Sequence, residues 1–319
     1  MKKLLPVVAL LLLLMGCSRP KPLTRTELLL DTVVTLTLYD GDEEDLDAAF
    51  ALISRLHSLL SPYEQGSDIY RLREQAGGEP VDISQATWEL LVYGQQLYTL
   101  TEGRLDVTIG PLVALWDISG GGHLPTEQEL SAAKENLGMA DLWVDPLSYR
   151  AALQRPGMGV DVGALAKGYI ADRVKELLTS RGVTSGIIDL GHNILLIGEK
   201  PGHTPFSIGI QNPEGGLLRV LELQNQSLVT SGTYQRFFEQ DGTVYHHVLD
   251  PTTGYPADTG VRAVTVLSPG SLQGDALSTA CLLLGEEKGM ALIERLPDIE
   301  ALFLLTDGRV LCSSGFPTA

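Results

Sequence analysis

The chain has 319 residues and a formal charge of −17 at neutral pH. So acidic a surface repels nucleic acid, and no basic run offsets it, so nucleic acid is excluded as a partner. A polyanionic ligand would need a local cation, either a metal ion or a well-placed lysine or arginine.

Met1, Lys2 and Lys3 precede an apolar run over residues 4–15 that only Pro6 interrupts. A basic start and a short apolar core describe a secretory signal, too short for an ordinary membrane span. The break Leu14-Met15-Gly16-Cys17 resembles a lipobox, which would make Cys17 the lipid-modified first residue of the mature protein. An uncleaved N-terminal anchor would leave the same domain outside the membrane. The expected organisation is a signal peptide over 1–16, a stiff tether with Pro20 and Pro22 over 17–24, and one domain over 25–319. Loss of residues 1–16 leaves 303 residues and takes the charge to −19, enough chain for one large domain or two smaller lobes. Cys281 and Cys312 then remain, and both read as packed thiols.

Residues 28–39 alternate and are rich in Val and Thr, which predicts one strand. Leu46, Phe50, Ile53, Leu56 and Leu60 recur at helical spacing and predict an amphipathic helix ending before Pro62. A polar loop with Tyr63 follows. Residues 84–101 read as a second helix, capped by Ser84 and closed by Gly103. Residues 105–112 read as a short extended segment ending in a Gly110-Pro111 break, and Gly120 to Gly122 mark a flexible surface loop. Thr126 and Glu129 have capping-box spacing for a helix that stops near Gly138.

Leu165, Tyr169, Val174, Leu177 and Leu178 share a broad helical face that Gly182 closes. Lys167 lies near the N-terminal end of that helix, where a cation is unfavourable unless an anion sits nearby. Strands are predicted over 187–190, 194–198, 206–211, 217–223, 227–230, 243–249 and 261–267. Residues 274–285 read as a mostly buried helix closed by Gly285, with a further helix over 286–296 and a closing hairpin. Asp275 and Thr279 are four apart and share a face. Asp275 is either a plain first-turn cap or, with Thr279, a pair of hard oxygens that suits Mg²⁺.

The stretch Tyr245-His246-His247-Val248-Leu249-Asp250-Pro251 carries the clearest chemistry. In a strand, His246 groups with Val244 and Val248, and His247 with Tyr245 and Leu249, so only one imidazole can face a given cleft. The turn residues Asp250-Pro251 and Thr253-Gly254 end the strand.

Six segments in order resemble the ApbE family, the FAD:protein FMN transferases. They are Leu105-Asp106-Val107-Thr108-Ile109-Gly110-Pro111-Leu112, Asp161-Val162-Gly163-Ala164-Leu165-Ala166-Lys167-Gly168, Asp189-Leu190-Gly191-His192-Asn193, Thr230-Ser231-Gly232-Thr233-Tyr234, His246 through Gly254, and Asp275-Ala276-Leu277-Ser278-Thr279-Ala280. Each alone is weak; together they are specific. The resemblance implies a mixed α+β fold, one two-lobed domain with antiparallel or mixed sheets flanked by helices. It implies an extracytoplasmic enzyme, often a lipoprotein on the cell membrane, that binds FAD with Mg²⁺. Such an enzyme transfers FMN to a threonine or serine hydroxyl of an acceptor flavoprotein and releases AMP. Acceptors implied are subunits of ion-pumping NADH:quinone-reductase-type or Rnf-type complexes and extracytoplasmic flavin reductases.

Residue by residue, the resemblance places the metal on Asp275, Thr279 and the backbone oxygen of Ala164. It places the flavin nucleotide on Tyr63, Asp106, Asp161, Lys167, Ser231 and Gly232, with the histidine pair beside the phosphates. A threonine nucleophile needs a base, for which His246 and His247 are the candidates and His247 is preferred; Asp250 orients it or caps the turn. One departure is His192, where the family usually has a second glycine, and a side chain there either narrows the pocket or adds a contact. The alternative readings are an FAD pyrophosphatase giving FMN and AMP, and a non-catalytic flavin-binding lipoprotein. A zinc hydrolase is poorly supported, since no His-Glu-x-x-His or paired-cysteine spacing occurs.

Overall fold

The computed structural model describes residues 21–318. The signal segment 1–16, the lipobox and Cys17 lie outside the described residues.

The chain opens with a hairpin. Strands β1 (Leu23–Leu29) and β2 (Thr32–Leu38) pair antiparallel around Leu30 and Asp31, both at positive φ. The single strand predicted over 28–39 is thus two. Alternation runs unbroken through a two-residue turn, and Leu-Asp carries none of the Gly or Asn signals that mark such turns. β1 also takes Leu23 and Thr24 from the stretch read as tether.

Helix α1 (Glu43–Leu60) is held by a capping box between Asp42 and Asp45, and its five apolar repeat positions are all buried. Helix α2 (Asp68–Glu74) occupies the stretch read as a polar loop. With only Ile69 and Leu72 to bury, it is too short to show a period; long-range bonds hold it. Its buried Asp68 carboxylate accepts from Ser84 N and Thr87 Oγ1, both at 2.7 Å. β3 (Val81–Asp82) leads to α3 (Gln85–Leu100), which Ser84 caps and Gly103 (φ 83°) follows. Gly110 and Pro111, read as a break, open helix α4 (Gly110–Trp116), because proline is tolerated in a first turn. The three glycines 120–122 end a short 3₁₀ turn, Ile118–Gly120. α5 (Glu127–Glu135) has the expected capping box on Thr126 and Glu129. β4 (Leu142–Val144) and β5 (Arg150–Leu153) join β3 in a small sheet of order β3-β5-β4.

Helix α6 (Gly163–Ser180) precedes strands β6 (Gly186–Leu190), β7 (Asn193–Ile197), β8 (Phe206–Gln211), β9 (Leu217–Leu223) and β10 (Ser227–Gly232). Then come β11 (Phe237–Gln240), β12 (Thr243–His246), β13 (Val261–Ser268), helix α7 (Ser271–Ile293), β14 (Glu300–Leu305) and β15 (Val310–Cys312). β11 was not predicted, although the Asp241-Gly242 turn that joins it to β12, both residues at positive φ, was its signal. β12 stops at His246, three residues short of the predicted strand. α7 is non-helical at Gly285 (φ 80°, ψ −179°), where the sequence placed the end of one helix and the start of another.

Eight strands form the main sheet in the order β1-β2-β6-β7-β10-β13-β14-β15, and every ladder among the described residues is antiparallel. Side-chain alternation divides its faces. Leu195, Val264, Val266 and Phe303 join the large core shared with α1, α6 and α7. Leu196, Leu267 and Leu302 point the other way, into a core closed by the β8–β9 hairpin. α6 and α7 cross at Gly168, where a Cβ would lie 2.4 Å from the Ser271 carbonyl oxygen, so only glycine permits the approach. Cys281 is buried and Cys312 partly buried, and neither forms a disulfide.

Candidate active site

A cavity of about 290 Å³ opens where α6 and α7 meet the loops of the first half of the chain. Its deepest wall is helical. Asp275 on α7 is 3% exposed, and its Oδ2 accepts the backbone N–H of Gly168 on α6 at 2.8 Å. In a regular helix that N–H would bond the Ala164 carbonyl, which lines the same cavity. Burial pushes the Asp275 carboxyl up to about 6, with the Lys167 charge pulling the other way. Thr279, one turn further, has its Oγ1 3.1 Å from Ser231 Oγ, which is 2.8 Å from Ser278 Oγ.

Asp275 is not a first-turn cap, because α7 begins four residues earlier. The cap is Asp172 of α6, whose carboxylate accepts from Ser271 N at 2.7 Å and Leu272 N at 2.9 Å. The two helices thus exchange carboxylate-to-amide bonds in both directions. Among the described residues, no three His, Cys, Asp or Glu side chains cluster closely enough to hold a metal by themselves. The oxygens gathered here are one carboxylate, one hydroxyl and one carbonyl. That donor set fits a hard cation such as Mg²⁺ and gives zinc no soft ligand.

Further lining residues are acidic and aromatic. Asp106 Oδ1 accepts from Thr108 N (2.7 Å) and Thr108 Oγ1 (2.6 Å), and Asp161 Oδ1 accepts from Gly163 N (2.8 Å). Burial raises both carboxyls above the usual range. Tyr63 stands exposed at the mouth.

Of the histidine pair, only His247 lines the cavity. Its Nδ1 lies 3.2 Å from the Arg236 carbonyl, so Nδ1–H donates there and Nε2 is left as an acceptor. Burial, reinforced by the Arg236 charge, lowers its pKa to about 4, so it is neutral at pH 7. His246 is turned away: its Nε2 donates to the Ala257 carbonyl at 3.0 Å and its Nδ1 accepts from Val248 N at 3.3 Å.

Three residues singled out in the sequence do not line the cavity: Asp250, Gly232 and His192. Asp250 does not orient His247. Its Oδ1 accepts from Thr252 N (2.8 Å), and its Oδ2 pairs with Arg104 at 2.8 Å, so it caps the turn and anchors an arginine. Gly232 does not line the cavity; it sits under the Tyr234 ring, 2.6 Å from where a Cβ would be. His192 is exposed at φ 68° in the β6–β7 turn and is not a lining residue. Arg236 and Arg104, by contrast, line the cavity and carried no sequence signal: each stands in a loop with no periodicity, and the partner of Arg104, Asp250, is 146 residues away in the chain.

The ApbE family model matches residues 30–303. An FAD:protein FMN transferase of Klebsiella pneumoniae is 37% identical over 290 residues, covering 90% of each chain. Among solved structures, an ApbE protein of Thermotoga maritima superposes with a TM-score of 0.86 at 27% identity, covering 93% of this chain and 98% of that one. The flavin transferase ApbE of Vibrio cholerae gives 0.84 at 29% identity with the same coverage. With the fold, the order of the six motifs and the convergence of five of them on one cavity in agreement, the chain belongs to the ApbE family.

Proposed function

We propose that this chain is an FAD:protein FMN transferase, moving FMN from FAD to a threonine or serine hydroxyl of an acceptor protein. The observation that carries this reading is the pairing, in one cavity, of an inward-facing neutral imidazole with a buried carboxylate and hydroxyl beside Lys167. Binding alone needs no base.

In the proposed reaction, His247 Nε2 accepts the proton of the acceptor hydroxyl as its oxygen attacks the FMN phosphorus. The bond from that phosphorus to the bridging oxygen breaks, and AMP leaves with that oxygen. Protonation of a buried imidazole is costly, and the negative charge of a bound pyrophosphate offsets that cost. Lys167 and Arg236 oppose the phosphate charge that the acidic chain would otherwise repel. Asp275, Thr279 and the Ala164 carbonyl would hold Mg²⁺, which when bound neutralises phosphate charge and orients the leaving group. Tyr63, Asp106 and Asp161 would receive the flavin nucleotide, and Ser231 would orient Thr279.

The N-terminal sequence supports an extracytoplasmic enzyme held to the membrane by lipid on Cys17; among the described residues no helix is long and apolar enough to cross a membrane. By resemblance, its acceptors are subunits of ion-pumping NADH:quinone-reductase-type or Rnf-type complexes, or extracytoplasmic flavin reductases. The full-length protein, given FAD, MgCl₂ and such an acceptor, should release AMP in step with flavin fluorescence that stays on the acceptor through a denaturing gel. AMP with only free FMN would mark a pyrophosphatase, and tight FAD binding with no AMP a carrier. Cys17→Ser should move the protein out of the membrane fraction or block its processing; an unaltered membrane fraction would refute the anchor.

A further inference from the structure

Two β-hairpins contribute residues to the cavity lining, and each presents an apolar pair to solvent on its outer face. On the outer face of β1–β2, the cross-strand pairs are Thr24 with Thr37 and Thr26 with Thr35, their hydroxyls bonded at 3.1 and 2.9 Å. The next pair on that face is Leu28 with Val33, 82% and 52% exposed. Beyond it come Leu30 and Asp31, which line the cavity. A face that is polar along its length therefore turns apolar only at the cavity end.

The β11–β12 hairpin carries a second exposed apolar pair. Phe238 and Tyr245 stack on its inner face with ring centroids 5.2 Å apart and pack on Trp116. Phe237 and Val244 are diagonal neighbours on its outer face, 50% and 52% exposed, and contribute nothing to that packing. Arg236 and His247, at the base of the same hairpin, line the cavity. Solvated side chains of this kind mark a contact surface when they cluster.

We infer that these two pairs, Leu28–Val33 and Phe237–Val244, are the surface on which the acceptor protein docks to bring its hydroxyl to His247. The inference rests on the transfer reading above. A cavity of about 290 Å³ admits a chain segment but not a folded domain, so the body of the acceptor must rest on the rim. The net charge of −17 gives the rest of the surface little attraction for an acidic partner, whereas apolar contacts tolerate any partner charge and are little affected by salt.

The test compares full-length Leu28→Glu and Phe237→Glu with wild type and with Leu147→Glu, a substitution at a side chain 95% exposed that does not line the cavity. The probe is an acceptor subunit of an ion-pumping NADH:quinone reductase that the wild type flavinylates. Both rim variants should raise the KM for that subunit by about tenfold or more, the effect of losing one good interface anchor. FAD affinity, read by flavin fluorescence, should be unchanged, and Leu147→Glu should match wild type. Unchanged KM in both rim variants, an equal rise in Leu147→Glu, or FAD affinity falling in step with KM would each overturn the proposal. Should the added charge disturb either strand, Leu28→Ser and Phe237→Ser read the same quantity with milder changes. A wild type that releases AMP and free FMN while modifying no acceptor would overturn the transfer reading first, and docking with it.

Discussion

The two walls of the cavity are built differently. The wall that carries Ala164, Lys167, Asp275 and Thr279 consists of two helices locked by a glycine crossing and by carboxylates that accept backbone amides each way, Asp172 from α7 and Asp275 from α6. The wall that carries Tyr63, Arg236 and His247 consists of loops and a two-stranded hairpin. A group that must hold a cation gains from a rigid, pre-paid geometry, whereas a base that must admit a second protein needs an open approach. The difference makes distinct forecasts for each wall.

The largest effect is expected on the helical wall. Asp275→Asn should lower Mg²⁺-dependent transfer by about a thousandfold or more, since a metal contact is worth several kcal/mol in phosphoryl transfer. It keeps the volume and an acceptor for Gly168 N–H, so the variant should melt cooperatively, and Mg²⁺ should no longer raise its melting temperature. Full Mg²⁺-dependent turnover in that variant would remove Asp275 from the proposed metal site.

On the loop wall, His247→Ala should cut kcat by about 10²- to 10⁴-fold, the usual contribution of a general base, with FAD affinity nearly unchanged. His246→Ala should do the reverse. Loss of its bond to Ala257 costs about 1 kcal/mol of stability and leaves kcat within a few-fold of wild type. If His246→Ala were the variant with the greater loss of kcat, the assignment of the two imidazoles would be inverted.

Asp172→Ala should cost about 1–2 kcal/mol by uncapping α7. Because the cap sets α7 against α6, it should also raise the Mg²⁺ concentration for half-maximal activity, and Asp172→Asn should recover part of both. A loss of stability with unchanged Mg²⁺ dependence would show that the cap does not set the metal-holding residues of the helical wall.

The smallest effect lies in the pH profile of the metal-free protein. The Asp275 carboxyl rises from 3.8 to about 6 on folding. Between those values the folded state keeps a proton that the unfolded state releases, so this group makes stability fall as pH rises. His247 falls from 6.5 to about 4, so there the unfolded state holds the extra proton and stability rises with pH. The two slopes oppose each other across nearly the same window. Denaturant titrations in chelator should therefore show little net contribution from this pair between about pH 4 and 6. Asp275→Asn should tilt the profile upward with pH, and His247→Gln downward. Parallel profiles for wild type and both variants would mean that neither group is buried as described.

Much of the helical wall was legible in the chain, because helical spacing and caps are local. Elsewhere Ser84 and Thr126 cap where the residue types say, and on this wall Asp275 and Thr279 share a face by their four-residue spacing alone. Gly182 and Gly285 mark the helix ends for the same reason: a positive φ suits glycine and stops the ladder. The order of six motifs did the rest for family and fold.

Only the tertiary structure decided the loop wall. β12 ends at His246, so strand alternation cannot aim the next side chain; the carbonyl of Arg236 does, from the neighbouring strand's base. Asp250 was adjacent to the histidines in sequence but is claimed by Arg104, 146 residues away. The cap on α7 comes from α6, 99 residues earlier, and the amide that meets Asp275 lies 107 residues earlier. The β1–β2 turn hides within an alternation that two antiparallel strands share with one long strand. Local patterns report which backbone hydrogen bonds a segment makes with itself. Which side chain satisfies a distant amide, carbonyl or charge depends on what the fold brings next to it, and no spacing along the chain encodes that.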